Sequence, residues 1–215
     1  MSRLLDVGLE QLTVMVNKMG EVAEKAVDVS IGGYVNGKDV TATVRELSDI
    51  LSAMTVEVEN KAFELIVKYQ PVASDLRIIN SYMKIAYDFQ RYGRYSWDIS
   101  FTHKKVAGLD KCMDSSGLMQ KLVETVSEMV SKSVRALKQN DGEMAESLAE
   151  SEKQVDELYF AYLDMITKTT AQNKCVTCNL LVARFLERIA DHTIYVGEDI
   201  IYISTGEKIS LGGNT

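Results

Sequence analysis

Proline is almost missing from this 215-residue chain, Pro71 being the only one. With so few helix breakers and plentiful Leu, Ala, Glu, Lys, Met and Val, the composition favours long helices and an all-α fold. Cysteine is scarce as well. Cys112, Cys175 and Cys178 make an odd count without framework spacing, which indicates no disulfide scaffold and suits reduced thiols in a cytosolic protein. No segment runs about 18 apolar residues without charge, so no membrane span is expected. The first residues, MSRLLDVGLEQL, lack the basic start and unbroken apolar stretch of a secretory signal. Positive charge is in deficit, 24 Lys and Arg against 31 Asp and Glu, for a net charge of −7. That balance argues against nucleic acid as a partner, because phosphate-backbone recognition rests on clustered Lys and Arg. No phosphate loop is present either: Ile31-Gly32-Gly33-Tyr34 has no Lys-Ser/Thr sequel. Neither a Ser-His-Asp nor a Cys-His nucleophile arrangement can be recognised.

What is present is punctuation that divides the chain into six helical stretches. Gly32, Gly33, Asn36 and Gly37 separate the first from the second, and the Gln70-Pro71 step separates the second from the third. Lys104 to Gly117 reads as a linker between halves. Asn140-Asp141-Gly142 parts the fourth stretch from the fifth, and a weaker break near Thr169 to Lys174 precedes the sixth. Apolar or small residues recur at alternating steps of three and four. Ile78, Tyr82, Ile85, Phe89, Tyr92, Ser96 and Ile99 form one seam; Val182, Leu186, Ile189, Thr193, Val196, Ile200 and Ile203 form another. The fourth stretch (Met119, Val123, Val126, Val130, Ser133, Leu137) and the fifth (Leu148, Ser151, Val155, Leu158, Tyr162, Met165) repeat the pattern. The third and sixth seams superpose without a gap, Ile85 upon Val182 and Phe89 upon Leu186, which is an internal repeat. Two tandem antiparallel three-helix bundles, residues 1–107 and 108–215, are the expected architecture.

With Leu186 and Ile189 directed to the core, Glu187 and Asp191 are expected on the opposite, solvent side, adjacent on the helix surface; Glu198 returns to nearly the same angle. The fifth stretch presents a second outward pair, Glu152 and Asp156. Like charges so spaced repel, and a cation held between the helices reverses that cost. An all-oxygen environment suits Mg²⁺, Mn²⁺ or iron. Acids on the outside of a bundle are usually just solvated, and the spacing alone does not choose between the two readings.

Two stretches resemble the signature segments of the PhoU family. VEVENKAFELIVKYQPVASDLRIINSYMKIAYDFQRYG resembles that family's Glu-rich helix, Gln-Pro-x-Ala-x-Asp-Leu-Arg turn and third helix. ARFLERIADHTIYVGEDIIYISTGE resembles its Glu-Arg-Ile-Gly-Asp-His helix, and EKQVDELY the acidic start of the helix before. The resemblance implies two similar three-helix bundles, multinuclear metal clusters at Glu/Asp-x-x-x-Asp motifs, and a non-enzymatic negative regulator of phosphate uptake and phosphate-starvation signalling. Such a regulator is a cytoplasmic adaptor, peripheral to the membrane through its partners: the ATPase subunit of an ATP-binding cassette phosphate importer and a sensor histidine kinase. It also implies a homodimer. Carried over by position, the metal ligands are Glu152, Asp156, Glu187 and Asp191, holding divalent or trivalent ions such as iron, zinc, manganese or magnesium. The first half departs from the pattern. Gln90 and Arg94 stand where Glu187 and Asp191 stand, and Ser48 and Ser52 where Glu152 and Asp156 stand. An arginine opposes a cation, so one metal cluster is expected and the other lost, with Asp49, Asp88 and Asp98 near enough to rescue a weak site.

Other features carry less. Cys175-x-x-Cys178 lacks the further ligands of a zinc site and is expected as a buried structural pair. His192 is expected on the solvent side, and the Glu-x-x-His pair of di-iron bundle enzymes is absent. Tyr95 and Trp97 fall off the apolar seam, either lying against a neighbouring helix or forming a partner patch. Two competing functions remain: regulation of a different transporter or channel, and a carboxylate-bridged di-metal enzyme, which requires inward carboxylates and an open metal position.

Overall fold

In a computed structural model, which describes residues 4–112, 116–168 and 173–212, every element is helical. Helix α1 spans Leu4–Asn36, α2 Thr41–Tyr69 and α3 Ala73–Thr102, the last running on into a π-helical turn at His103–Ala107. The second half holds α4 (Leu118–Gln139), a short α5 (Gly142–Glu146), α6 (Leu148–Thr167) and α7 (Lys174–Thr205). Helices α5 and α6 are one stretch bent at Ser147, so the six expected stretches are all found. No described helix is long and apolar enough to cross a membrane.

The boundaries follow local chemistry. Helix α1 runs straight through Gly32 and Gly33 and stops only at Gly37, whose φ of 68° is left-handed, so the break lies later than the glycine pair implied. Glycine within a helix weakens it by about 1 kcal/mol relative to alanine but does not end it when the surrounding face is buried. Gln70, at φ 48°, and Asn140, at φ 50°, close α2 and α4 in the left-handed conformation and return an N–H to the last turn. Asp141 caps α5 by accepting from the Met144 N–H at 2.9 Å, and Asn173 caps α7 by accepting from Val176 N at 3.0 Å. The linker read as Lys104 to Gly117 begins later as well, since Lys104 and Lys105 sit in the π-helical turn. Of the break expected at Thr169 to Lys174, residues 169–172 lie outside the described residues.

Helices α1, α2 and α3 pack together, as do α4, α6 and α7, and α3 lies along α7 while α1 touches α4. A single hydrophobic cluster therefore runs through both trios, from Leu12, Val16 and Met19 through Ile85, Phe89 and Tyr92 to Leu186, Ile189 and Val196. The four seams read from the sequence are buried except at Ile78, Ser151, Leu158, Met165 and Ile203, which are partly exposed. Tyr34 ties α1 to the start of α7: its hydroxyl donates to Asn179 Oδ1 at 2.6 Å, and Asn179 Nδ2 donates to the Cys112 carbonyl at 2.6 Å.

That carbonyl belongs to a correction. Cys112 and Cys175 are disulfide-bonded, their Cα atoms 5.0 Å apart, and only Cys178 is a free, buried thiol, pushed up to about 11 by burial. The expectation of three reduced cysteines, with Cys175 and Cys178 paired in the core, fails because 63 residues of sequence separation hide the fact that the segment after α3 returns to the first turn of α7. The argument for a reducing compartment from cysteine usage falls with it.

Gly93 sets how closely α2 and α3 approach. A Cβ there would overlap Leu51 Cδ1 and come within 3.4 Å of Ser48 Cα. Gly93→Ala gains helix propensity but overpacks a buried contact that costs about 1–3 kcal/mol. A net loss of about 1 kcal/mol is expected, read as a lower urea midpoint without a changed slope.

Candidate metal centre

Leu148, Val155 and Tyr162 turn one stripe of α6 into the core. That rotation leaves Glu152 and Asp156 on the flank that borders α7. On α7, Leu186 and Ile189 are fully buried, and Glu187 lies about 100° around the helix from Leu186, at the groove between α7 and α6. The result is an open cleft of about 630 Å³ into which Glu152, Asp156, Glu187, Asp191 and Glu198 all project. The four acids singled out from the sequence are therefore brought together. The C-terminal segment closes one end, where Leu211 N donates to Glu198 Oε1 at 2.8 Å.

One part of the expectation is wrong. Glu187 is not solvent-facing; it is only 9% exposed. Helix α7 is central, packed against α3, α4, α5 and α6, and a helix with so many neighbours has no outer face for a residue one step from the core seam. His192 departs in the same way: its Nδ1 lies 2.8 Å from Asp88 Oδ1, and its side chain is 12% exposed.

Burial in company raises the pKa of each of these acids. Glu187 is pushed up to about 7, first by desolvation and then by Asp191, against the pull of Arg184 and Arg188. Glu152 is raised by desolvation and by Asp156 and Asp191; Asp156 by desolvation, opposed by Arg184. Asp191 is raised by desolvation, with Arg188 opposing and Asp156 adding to the rise. Arg184 Nη1 donates to Glu187 Oε1 at 2.5 Å and Arg188 Nη1 to Asp191 Oδ2 at 3.0 Å. Glu187 Oε2 is buried without a hydrogen bond, its nearest cation being Arg188 Nε at 3.7 Å.

The sign of the pH effect follows. The folded protein holds a proton on Glu187 up to about pH 7, whereas the unfolded chain gives it up near 4.5. Stability then falls as pH rises across that window and levels off above it, because the native state binds the extra proton. Glu187→Gln is expected to stabilise the metal-free protein at pH 8 by on the order of 2 kcal/mol and to leave it unchanged at pH 4. Chemical denaturation of both proteins at the two pH values checks this.

The donor set fits a hard cation: carboxylate oxygens only, one of them the buried Glu187 Oε2 that makes no hydrogen bond. As the side chains lie, no group of three or more His, Cys, Asp or Glu among the described residues converges closely enough to hold one ion. The arginines explain this, since each draws an acid of α7 toward itself. Both arginine side chains are about 40% exposed, 39% and 42%, and can exchange the acid for water.

The corresponding place in the first half carries no such set. Ser48, Ser52, Gln90 and Arg94 line one cleft between α2 and α3, so the register read from the sequence brings them together. Asp49 is paired with Arg45 at 3.1 Å and Asp98 with Arg94 at 3.5 Å, while Asp88 is turned to His192 on α7 and is not beside that cleft. Trp97 and Tyr95 lie against neighbours, Trp97 beside the Arg45 and Arg94 guanidiniums and Tyr95 stacked on Phe185.

Sequence reasoning missed the buried polar contacts between α3 and α7. Asp199, 7% exposed, accepts from Ser81 Oγ at 3.1 Å and from Lys84 Nζ at 3.4 Å, and Asp88, 5% exposed, meets His192. A charged residue on the core side of a long seam was the available signal.

The PhoU domain model matches residues 16–101 and 119–200. The phosphate-specific transport system accessory protein PhoU homolog of Clostridium acetobutylicum is 29% identical over 215 residues, with 97% of this chain and 98% of that protein covered. The homolog of the same description from Rhizobium meliloti is 30% identical, with 94% and 88% covered. In three dimensions the crystal structure of PhoU from Pseudomonas aeruginosa superposes with a TM-score of 0.87 at 24% identity, covering 94% of this chain and 99% of that one. The phosphate transport system regulatory protein PhoU from Streptococcus pneumoniae gives 0.71 at 19% identity. Helix order, paired trios and the two matched stretches converge, and the chain belongs to the PhoU family.

Proposed function

We propose that this protein is a metal-binding negative regulator of phosphate uptake and phosphate-starvation signalling, a non-enzymatic adaptor built from duplicated halves, 1–107 and 108–215. Its relatives carry the description of accessory proteins of a phosphate-specific transport system, which supports a role beside a phosphate importer. The observation that carries the metal part is the cleft between α6 and α7, which gathers Glu152, Asp156, Glu187 and Asp191, each raised first by burial, with Glu187 Oε2 left without a hydrogen bond. These four would hold iron, manganese, magnesium or zinc. The ion would supply positive charge that cancels their repulsion and locks α6 against α7. Arg184 and Arg188 keep the acids neutralised until then and release them to the ion.

The adaptor would act in the cytoplasm, as a homodimer, on the importer's ATPase subunit and on a sensor histidine kinase. A di-metal enzyme is the weaker reading, since the acids line an open cleft at the flank of the bundle and the relatives are described as accessory proteins of a transport system. A pull-down from phosphate-replete cells tests the adaptor. Recovery of a phosphate-importer ATPase supports it; recovery of subunits of an unrelated transporter or channel assigns the protein to that system instead.

A further inference from the structure

The α3/α7 register that places Gln90 and Arg94 where Glu187 and Asp191 stand leads to a second site of opposite sign. The cleft between α2 and α3, about 410 Å³, is lined by three arginines, Arg45, Arg91 and Arg94, against a single carboxylate, Asp49. In a chain of net charge −7 this is a local inversion. We propose that this cleft binds a tetrahedral oxyanion, either inorganic phosphate or the phosphoryl group of a larger phosphate ester.

The arginines are held ready. Arg45 and Arg94 each place a guanidinium carbon 5.1 Å from the Trp97 ring, so one indole orders both cations. Their Nε groups are occupied, Arg45 by Asp49 at 3.1 Å and Arg94 by Asp98 at 3.5 Å. Among the described residues their Nη groups have no hydrogen-bond partner, and Nη pairs are the donors that grip phosphate in a fork. Arg91 donates from Nη2 to the Tyr95 hydroxyl at 2.6 Å, while its Nε is buried without a partner. Ser48, Ser52 and the Gln90 amide line the same cleft and add neutral donors. A guanidinium cannot give up its proton at any pH the fold survives, so the cleft refuses a cation and keeps its charge. Gly93, which lets α2 approach α3 at this point, keeps the donors of the two helices within one ligand's reach.

Trp97 is the only tryptophan in the chain, so its fluorescence reports on this cleft alone. The test uses full-length, chelator-treated protein titrated with sodium phosphate and, separately, with glycerol 3-phosphate, against sodium chloride at matched ionic strength. Equilibrium dialysis with radiolabelled phosphate and radiolabelled glycerol 3-phosphate provides the second readout. Saturable binding is expected, weakened at least tenfold by Arg94→Gln and by Arg91→Gln and unchanged in Glu187→Gln/Asp191→Asn. Binding of phosphate assigns the free anion; binding of the ester alone assigns a phosphorylated ligand. The proposal is overturned if neither probe saturates by either readout, or if the arginine variants bind as the wild type does. Because the acidic cleft is silenced in the double variant, failure here leaves the metal reading untouched, and failure there leaves this one.

Discussion

Exchanging both acids of α7 for amides, Glu187→Gln with Asp191→Asn, is expected to weaken Mn²⁺ or Fe²⁺ binding by about 100-fold or more, roughly 2.7 kcal/mol. Two of four negative donors are lost, and hard cations owe most of their affinity in such sites to the count of charged oxygens. Titration calorimetry at pH 8 measures the change, with bound metal counted after dialysis. Unfolding cannot imitate this result, since removing a forced charge from Glu187 stabilises the metal-free fold at that pH. Wild-type affinity should also climb between pH 6 and 8, because a carboxyl held near 7 must lose its proton before it coordinates. Glu152→Gln and Asp156→Asn should each act more weakly, as half-buried partners on the facing helix. Arg184→Ala should strengthen binding, because it removes the cation already resting on Glu187 Oε1.

The second large effect concerns the α3/α7 interface. His192→Ala leaves Asp88 buried without its imidazole hydrogen bond, and stranding a buried carboxylate in this way is destabilising. A loss of about 2–3 kcal/mol at pH 7.5 is expected, the range for a hydrogen bond to a charged group. Desolvation already raises Asp88, and His192, with Lys84 behind it, opposes the rise. Asp88→Asn/His192→Ala should be less destabilised than the sum of the single variants, a coupling that a double-mutant cycle resolves. Denaturant unfolding of the wild type and the three variants at pH 7.5 provides the numbers.

The legible part of this molecule was what repeats along a helix. Seams at steps of three and four located α3, α4, α6 and α7, and their members are buried where the spacing placed them except at Ile78, Ser151, Leu158, Met165 and Ile203. Gln70-Pro71 and Asn140-Asp141-Gly142 ended helices because proline and the left-handed residues act on the backbone locally. Glu152, Asp156, Glu187 and Asp191 share a cleft because the i, i+4 spacing fixes neighbours on a helix whatever lies around it. Depth was not legible in the same way. Whether Glu187 meets water depends on how many helices surround α7, and a periodicity counts faces, not neighbours. His192 and Asp199 were hidden by the same fact. Cys112 and Cys175 meet through the path of a connection, which no local pattern encodes. Asp88, grouped by sequence with the first-half acids, turned instead across the interface to α7.

The most direct measurement is anomalous diffraction at the iron or manganese edge from crystals grown with the metal. A peak between α6 and α7, within coordinating distance of Glu187, Asp191 and at least one of Glu152 and Asp156, is the predicted result, with Arg184 and Arg188 swung into solvent and no peak beside Arg94. A metal-loaded protein whose anomalous density lies elsewhere, or whose Glu187 remains paired to Arg184 with no ion beside it, would contradict the account.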